Sequence, residues 1–427
     1  MQKKLIVLVL ACLLGRSLLT AQIHMDTLPL TLPDAERMFL DSNLQLLAQR
    51  YNVDAQKALI IQARLWPNPN LSYGHGPVWH VYDPVEATFI NNSSNSASLS
   101  QLILLAGKRN KQVKLAQANA RLSEIQFYDL LRTLKYTLRT DFYNIYFLER
   151  SAMVYDEEIK ALQVVVRAFA EQEGKGYISQ KEVIRIRAQL YSLQSEYSDL
   201  LLKINDAQSE LKLILQVKPG HHIDPIPDST ALNNLQPAKY PLAVLIDSAY
   251  QNRTDLQIAK TNSAINQLNY KYQKALAVPD LSLSFSYDQQ GSYVHNFQSL
   301  GASIDLPFFN RNQGNIKSAK AMIDFANTTV KSTEATVEEN VTMSLEKAFV
   351  QDKLFRSIDR SFSNDFERLM REVLNNYQKR NISLLEFLDF YDSYKQNILQ
   401  LNSIQFNRLS AFEDLNFYTG TNFFNYF

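Results

Sequence analysis

Two long stretches of the chain, residues 85–218 and 308–427, contain no proline, although the 427 residues include 13 prolines. Glycine is also absent from residues 108–173 and 315–419. An interior proline destabilises a helix by about 3 kcal/mol and an interior glycine by about 1 kcal/mol, so stretches that lack both favour unusually long helices. The absence of these residues therefore predicts long helices over about 108–173 and 314–378.

Apolar residues recur in both stretches in steps of three and four, which places them on one face of a helix. The first series is Phe127, Leu131, Leu134, Leu138, Phe142 and Ile145, and the second is Phe355, Ile358, Phe362, Phe366, Leu369, Val373 and Tyr377. A seam of this kind is typical of coiled coils. A helix over 108–173 would be about 100 Å long at 1.5 Å per residue, which is far longer than a globular domain needs.

The two halves of the chain share short segments. Residues 43–46 (NLQL) match 255–258 (DLQI), and residues 177–179 (YIS) match 381–383 (NIS). Each half is predicted to contain a helix, two strands, a long helix, a tight turn and another helix. The predicted segments are a signal peptide at 1–21, a first repeat at 22–216, a Pro-rich connector at 217–241, a second repeat at 242–420 and an aromatic tail at 421–427. The shorter helices are predicted over about 35–65, 180–216, 243–277 and 384–418.

Beside the prolines, the apolar period changes to two, as in Leu281, Leu283, Phe285 and Tyr287, which alternate with serines. The predicted strands are about 68–76, 95–105, 280–289 and 299–307. One apolar face and one serine-rich face are typical of a barrel strand with lipid outside and water inside, although a soluble hairpin packed on a core has the same pattern. Four strands cannot close a barrel, and open edges are costly in lipid. The barrel interpretation therefore requires several copies, and three copies give 12 strands.

The N-terminus has the features of a secretory signal: Lys3 and Lys4, an apolar stretch over residues 5–14, and a small residue at position 21. Lipidation at Cys12 is the alternative. No later segment has 18 consecutive apolar residues, which argues against a membrane-spanning helix.

Composition argues against several functional classes. Lys and Arg (44) balance Asp and Glu (43), so no excess of basic charge indicates nucleic acid. The only cysteine, Cys12, excludes a cysteine-based zinc or iron–sulfur site, and phosphate-binding glycine loops are absent. The histidines lack the spacing of metal ligands, and the adjacent pair His221 and His222 is expected in a surface loop. We therefore expect no enzyme, no catalytic residue, no metal site and no cofactor.

Four motifs, in order, resemble the TolC-type outer-membrane factor family over about residues 30–420. They are LPDAERMFLDSNLQLLAQ (32–49), ARLWPNPNLS (63–72), SLSQ followed by GKRNK (98–111) and LPFFNRNQGNI (306–316). The last two are most similar to the branch that serves heavy-metal (cobalt-zinc-cadmium) resistance-nodulation-division pumps.

The resemblance implies a mainly α fold with a transmembrane β part. Three copies would form a 12-stranded barrel in the bacterial outer membrane, continued by an α-helical barrel in the periplasm. It also implies a passive exit duct of a tripartite efflux system, with a periplasmic adaptor and an inner-membrane resistance-nodulation-division pump as partners, as well as outer-membrane lipid.

The resemblance also assigns roles at the predicted helix turns. Glu386 and Asp389 correspond to the acidic pore constriction. Glu182 and Tyr377 correspond to the gating network, and Arg380 lies two residues from the position of its arginine. The turns that adaptors contact correspond to Gly176, Tyr177, Asn381 and Ile382.

Several alternatives remain open from the sequence. The cargo of the duct is either heavy-metal cations, drugs or a secreted polypeptide. A different class of function is a secreted coiled-coil scaffold without a pore. Basic residues just beyond the strands either meet lipid headgroups or form a solvated helix face; they are Lys108, Arg109, Lys111, Lys114, Arg311, Lys317 and Lys320.

Overall fold

The computed structural model describes residues 26–76, 79–83, 85, 88–92, 94–228, 235–290, 294–359, 362–379 and 381–424. The helices are α1 (Leu32–Ser42), α2 (Leu44–Arg64), α3 (Lys108–Gly174), α4 (Gln180–Leu215), α5 (Leu242–Asn252), α6 (Thr254–Leu276), α7 (Gln313–Ser357), α8 (Phe362–Gln378) and α9 (Leu384–Thr419). The strands are β1 (Asp26–Thr31), β2 (Asn70–His75), β3 (Trp79–Asp83), β4 (Thr88–Asn92), β5 (Asn95–Ile103), β6 (His221–Ile226), β7 (Leu281–Asp288) and β8 (Phe297–Ile304). None of these helices is long and apolar enough to cross a membrane.

The chain divides into two compact units. We call Met1–Leu44, Arg132–Leu245 and Val341–Phe427 the helical unit, and Gln45–Leu131 and Ile246–Asn340 the sheet unit. The fold is mainly helical with a smaller β part, as the sequence predicts.

The core of the helical unit includes a cluster of buried side chains from α3, α4, α8 and α9. The cluster is Tyr155, Ile159, Leu162, Val165, Ile186, Leu190, Leu193, Met370, Val373 and Phe387. Two members, Ile186 and Phe387, are fully buried. Within α3 and within α4, the members of the cluster are three or four residues apart, which is the spacing that places side chains on one face of a helix.

The sheet unit contains a four-stranded antiparallel sheet in the order β2-β5-β7-β8. The register aligns Ile103 with Leu281 and Leu281 with Ile304, so the end of β5, the start of β7 and the end of β8 lie at one end of the sheet. The start of β2 lies at the same end, because Asn70 pairs with Ser100. A separate hairpin, β3 with β4, was not among the predicted strands.

A short parallel sheet in the helical unit corrects the prediction for the connector 217–241. Strand β6 lies within that segment and pairs with β1. His221 and His222, which were expected in a surface loop, belong to β6, and His222 Nε2 lies 2.8 Å from Glu149 Oε1. The side-chain amide of Gln208 fixes this strand, since it donates to the Ile223 carbonyl at 2.6 Å and accepts from the Ile223 amide at 3.0 Å.

Three predicted helices are interrupted. The helix expected over 314–378 ends at Ser357 and resumes at Phe362. No proline or glycine marks this break, but the last residue of α7 is a serine, whose hydroxyl donates to the Leu354 carbonyl at 2.7 Å, and such side-chain bonds compete with helical backbone bonds. A long-range contact also holds the end of α7, because the Arg356 side chain donates to the Leu235 carbonyl at 2.8 Å.

The other two interruptions come from single polar residues. Asn43 separates α1 from α2, and its side chain donates to the Ile214 carbonyl at 2.9 Å. Arg253 separates α5 from α6, and its guanidinium binds both carboxylate oxygens of Asp255 at 3.0 and 2.6 Å. Neither contact can be read from local periodicity.

Candidate functional site

The turn after α3 brings together the predicted adaptor-contacting residues Gly176 and Tyr177. The Tyr177 amide donates to the Gln172 carbonyl at 2.9 Å, and the Gly176 amide donates to the Glu173 carbonyl at 2.8 Å. These two bonds form a Schellman motif, in which the next-to-last position adopts the left-handed conformation. Gly176 has a φ of 76°, which glycine adopts without the steric cost that a Cβ imposes.

The next helix, α4, begins with a capping box. The Ser179 hydroxyl accepts from the Glu182 amide at 3.4 Å, and Glu182 Oε2 accepts from the Ser179 amide at 3.1 Å. This arrangement satisfies two backbone donors that a helix start otherwise leaves free. The carboxylate of Glu182, predicted to belong to a gating network, therefore also caps its own helix.

The turn between α8 and α9 repeats three of these bonds, 204 residues later. The Asn381 amide donates to the Asn376 carbonyl at 2.9 Å, as Tyr177 does to Gln172. The Ser383 hydroxyl accepts from the Glu386 amide at 3.2 Å, and Glu386 Oε2 accepts from the Ser383 amide at 2.8 Å. Hydrogen bonds from the Ser383 backbone and hydroxyl hold the pKa of Glu386 below its usual range.

The serines of these two boxes are site residues that the sequence prediction missed. Both follow the S-x-x-E pattern, as Ser179 with Glu182 and Ser383 with Glu386, and each pattern directly precedes a predicted helix. This signal was available in the sequence. The two capping boxes show that the carboxylates of Glu182 and Glu386 each stabilise the start of their own helix, in addition to any role in a pore.

Tyr377 lies in an aromatic stack beside these turns. Its ring centroid is 4.3 Å from that of the buried Phe387, with an angle of 14° between the rings, and 6.0 Å from that of Phe169. Among the described residues, the Tyr377 hydroxyl is buried and has no hydrogen-bond partner. Burial raises the pKa of Tyr377 above its usual range, and the negative charge of Glu182 raises it further.

The other predicted site residues differ in their surroundings. Asp389 is exposed on α9, three residues after Glu386, so the two acids lie on neighbouring positions of one helix. Ile382 packs against the core cluster of the helical unit. Arg380, the third member of the predicted gating network, lies outside the described residues. Within the described part of the chain, no three His, Cys, Asp or Glu side chains are grouped so that they could hold a metal ion.

The sheet unit has a second candidate surface, whose two faces differ in chemistry. One row across the four strands is Leu71, Leu99, Phe285 and Leu300, and the adjacent row is Ser72, Ser98, Ser286 and Ser299. The serine hydroxyls of the second row bond in pairs at 2.7 Å, Ser72 with Ser98 and Ser286 with Ser299. Because side chains of adjacent positions point to opposite faces, the sheet has one apolar face and one hydroxyl face.

The apolar row is exposed in the chain rather than packed on a core. Leu71 is 73% exposed and Leu300 is 87% exposed. A soluble hairpin would cover such a row, so the pattern favours a sheet whose apolar face contacts something other than this chain.

Comparison with known proteins agrees with this architecture. Residues 37–216 match the sequence profile of the family described as outer membrane efflux protein. The resemblance predicted from the four motifs is thereby confirmed, and so is the outer-membrane location that it implies.

One similar protein is the cobalt-zinc-cadmium resistance protein CzcC of Cupriavidus metallidurans. It is 19% identical over 361 residues, which cover 84% of this chain and 83% of CzcC.

Solved structures share the fold at low identity. The outer membrane channel CmeC of Campylobacter jejuni aligns with a TM-score of 0.74 and 15% identity, over 92% of this chain and 86% of CmeC. A membrane protein of Pseudomonas aeruginosa aligns with a TM-score of 0.73 and 17% identity, over 91% of this chain and 92% of that protein. The chain therefore has the fold of the outer membrane channels, and the predicted fold class is confirmed.

Proposed function

We propose that this chain is the outer-membrane channel of a tripartite efflux system and that it passes heavy-metal cations passively to the exterior. A periplasmic adaptor and an inner-membrane resistance-nodulation-division pump would supply the cargo and the energy. The observation that carries the proposal is the sheet with one exposed apolar face and one serine face. Such a sheet is stable where hydrocarbon meets the first face and water meets the second.

The edges of this sheet support a trimer. In the described part of the chain, β2 and β8 each pair on one side only, so each leaves a row of backbone groups open. In hydrocarbon, each such group costs several kcal/mol. Pairing β8 of one copy with β2 of the next removes every edge, and three copies close a barrel of 12 strands that is wide enough to leave a passage.

The helix turns are proposed as the gated end of the duct. Three copies of Glu386 and Asp389 would place six carboxylates around one axis, where they would attract cations and hinder their escape. Tyr377, Glu182 and Arg380 would hold the turns closed. Gly176, Tyr177, Asn381 and Ile382 would contact the adaptor.

Cargo is proposed from the similarity to the cobalt-zinc-cadmium resistance protein CzcC. The test deletes this gene in its own host and measures growth in Zn²⁺, Co²⁺ and Cd²⁺, growth in a panel of antibiotics, and the polypeptides exported to the medium. Loss of metal tolerance alone, restored by the intact gene, is expected. Loss of antibiotic tolerance alone would favour the alternative of a drug duct, and loss of polypeptide export would favour a secretion duct.

The proposed constriction is tested by single-channel recording in planar bilayers. Glu386→Gln combined with Asp389→Asn should raise the conductance and weaken block by multivalent cations, because the carboxylates that retain cations are gone. Ser383→Ala is the matched control, since it weakens the same helix cap but keeps both charges. Equal currents in the double variant and the wild type would remove these residues from the constriction.

A secreted coiled-coil scaffold is the competing function of another class. It predicts that high salt releases the protein from the membrane fraction and that the purified protein gives no channels. The proposed duct predicts that only detergent extracts it and that discrete conductance steps appear.

A further inference from the structure

Basic residues are concentrated at one end of the sheet. The segments that enter or leave the four strands at this end are residues 64–69, 104–120, 270–280 and 305–320, which we call the basic collar. The collar contains ten Lys or Arg residues and only two acids, Asp280 and Asp305, in a chain whose net charge is +1. No Lys or Arg occurs in residues 70–103 or 281–304, so the charge lies only beyond this end of the sheet.

One lysine of the collar has a structural role. Lys108 is 4% exposed, and its Nζ lies 2.7 Å from Asp280 Oδ1. The same carboxylate oxygen accepts from the Leu105 amide at 2.9 Å, so Asp280 fixes the start of α3 against the start of β7. Lys108 is therefore not available to a ligand, which corrects its inclusion among the candidate headgroup contacts. Because Asp280 pairs with Lys108, Asp305 is the only other acid in the collar segments that could compensate the remaining basic residues.

The other basic side chains of the collar are accessible. Arg311, Lys317 and Lys320 are exposed and form no ion pair with the described residues. Arg109 is held in place, since its guanidinium carbon lies 4.0 Å from the ring centroid of Trp66 and it donates to the Arg64 carbonyl at 3.3 Å. A guanidinium stacked in this way keeps donors free for an anion.

Exposed aromatic side chains lie in the same segments. Trp66 is 56% exposed, Phe308 is 68% exposed and Phe309 is 95% exposed. The sequence from β8 onward passes from Leu300 and Ile304 on the apolar face to Leu306, then to Phe308 and Phe309, and then to Arg311. This order of aliphatic, aromatic and basic side chains follows the order of hydrocarbon, interface and headgroup in a bilayer.

We propose that the basic collar binds the headgroups of anionic phospholipids in the membrane leaflet at this end of the sheet. The inference rests on the proposed membrane-embedded sheet. It adds a preference for negatively charged lipid, because a phosphodiester without a compensating amine is attracted by uncompensated Arg and Lys. Aromatic rings beside the charges anchor the same headgroup region.

The test is native mass spectrometry of the full-length protein in a neutral detergent. The protein is titrated with phosphatidylglycerol and, in parallel, with phosphatidylcholine. Wild type is expected to bind phosphatidylglycerol more tightly, and Arg311→Gln, Lys317→Gln and Lys320→Gln together should weaken that binding by at least about tenfold. The matched control removes three exposed charges from α4, with Lys181→Gln, Arg185→Gln and Arg187→Gln, and should bind like wild type.

The proposal is overturned by equal binding of the two lipids, by equal affinity of the collar variant and wild type, or by an equal loss in the control variant. Displacement of phosphatidylglycerol by millimolar inorganic phosphate would also overturn it, because the collar would then be a site for free anions. Planar-bilayer conductance separates this inference from the proposed function. A variant that conducts normally but keeps its lipid preference contradicts only the collar, whereas a wild type without channels contradicts the duct itself.

Discussion

The sheet unit and the helical unit distribute polarity in opposite ways. In the sheet unit, large apolar side chains such as Leu300 are exposed, whereas in the helical unit the charged side chains of Arg139 and Glu413 are each 2% exposed. Exposed apolar rows indicate a surrounding that is itself apolar. Buried charges indicate helices that are held in a fixed arrangement by polar contacts as well as by packing.

The buried charges of the helical unit are connected. Arg139 Nε donates to Glu36 Oε1 at 2.6 Å, and Arg139 Nη1 donates to Glu413 at 3.4 Å. Glu36 also binds Lys135 at 2.8 Å. This network joins α1, α3 and α9, so a helix of the N-terminal segment is linked to the last helix of the chain.

Arg139→Met provides the strongest test of this contrast. It leaves the buried Glu413 and the partly buried Glu36 without their guanidinium, and we expect a loss of about 3–5 kcal/mol in the free energy of unfolding. Urea unfolding in detergent, followed by the helical circular dichroism signal, measures it. Arg150→Met, at an exposed position of the same helix, is the control and should change stability by less than about 1 kcal/mol. Equal losses in the two variants would show that the buried network contributes no more to the free energy of unfolding than an exposed charge does.

The faces of the sheet are tested by two neighbouring substitutions on β5. Leu99→Arg places a charge on the apolar face and should destabilise the inserted protein by about 2–4 kcal/mol if that face meets hydrocarbon. Ser98→Arg places the same charge on the hydroxyl face and should be tolerated, with a change in conductance instead. Equilibrium folding into phosphatidylcholine vesicles measures both. Equal destabilisation by the two arginines would mean that the faces do not differ in their surroundings.

The same contrast explains what the sequence could predict. The alternation in residues 281–287 is local, and the sequence of each strand is enough to assign its apolar and its polar face. The four strands of this sheet and the polarity of their faces therefore follow from the sequence. The long helix α3 follows from the absence of breakers between Gly107 and Gly174. The pair of Arg139 and Glu413 does not, because its members are 274 residues apart and each resembles an ordinary charged residue on a helix.

The turns of the candidate site could be predicted from the sequence only in part. The positions of Gly176 and of Asn381 were predictable because the matching segments end in S-x-x-E patterns at the same offset. The capping role of Glu386 was also readable there, but the stack of Tyr377 on Phe387 joins two helices and needs the tertiary structure. Strand β6 was missed because Pro225 makes its segment resemble a connector.

The buried side chain of Glu158 extends this contrast to the dependence of stability on pH. It is 2% exposed on α3, and its Oε1 is buried with no hydrogen-bond partner among the described residues. Burial raises the pKa of Glu158 from 4.5 to about 8; Lys395 opposes the shift, and Asp392 and Glu196 add to it. Two tyrosines also lie close: the Tyr391 hydroxyl donates to the Glu158 carbonyl at 3.4 Å, and Tyr155 donates to Glu196 at 3.2 Å.

A carboxyl whose pKa is higher in the folded state binds more protons there than in the unfolded state. Its contribution to stability is therefore complete below pH 4.5 and is lost as the pH rises toward about 8. Glu158→Gln removes this dependence, so the variant should be more stable than wild type at pH 8 and similar to it at pH 4.5. Urea unfolding across this pH range measures the difference. Glu157→Gln, at the exposed neighbouring position, is the control and should have the same dependence of stability on pH as the wild type. If the stability of Glu158→Gln and that of the wild type changed in parallel with pH, Glu158 would already be ionised in the folded protein at acidic pH.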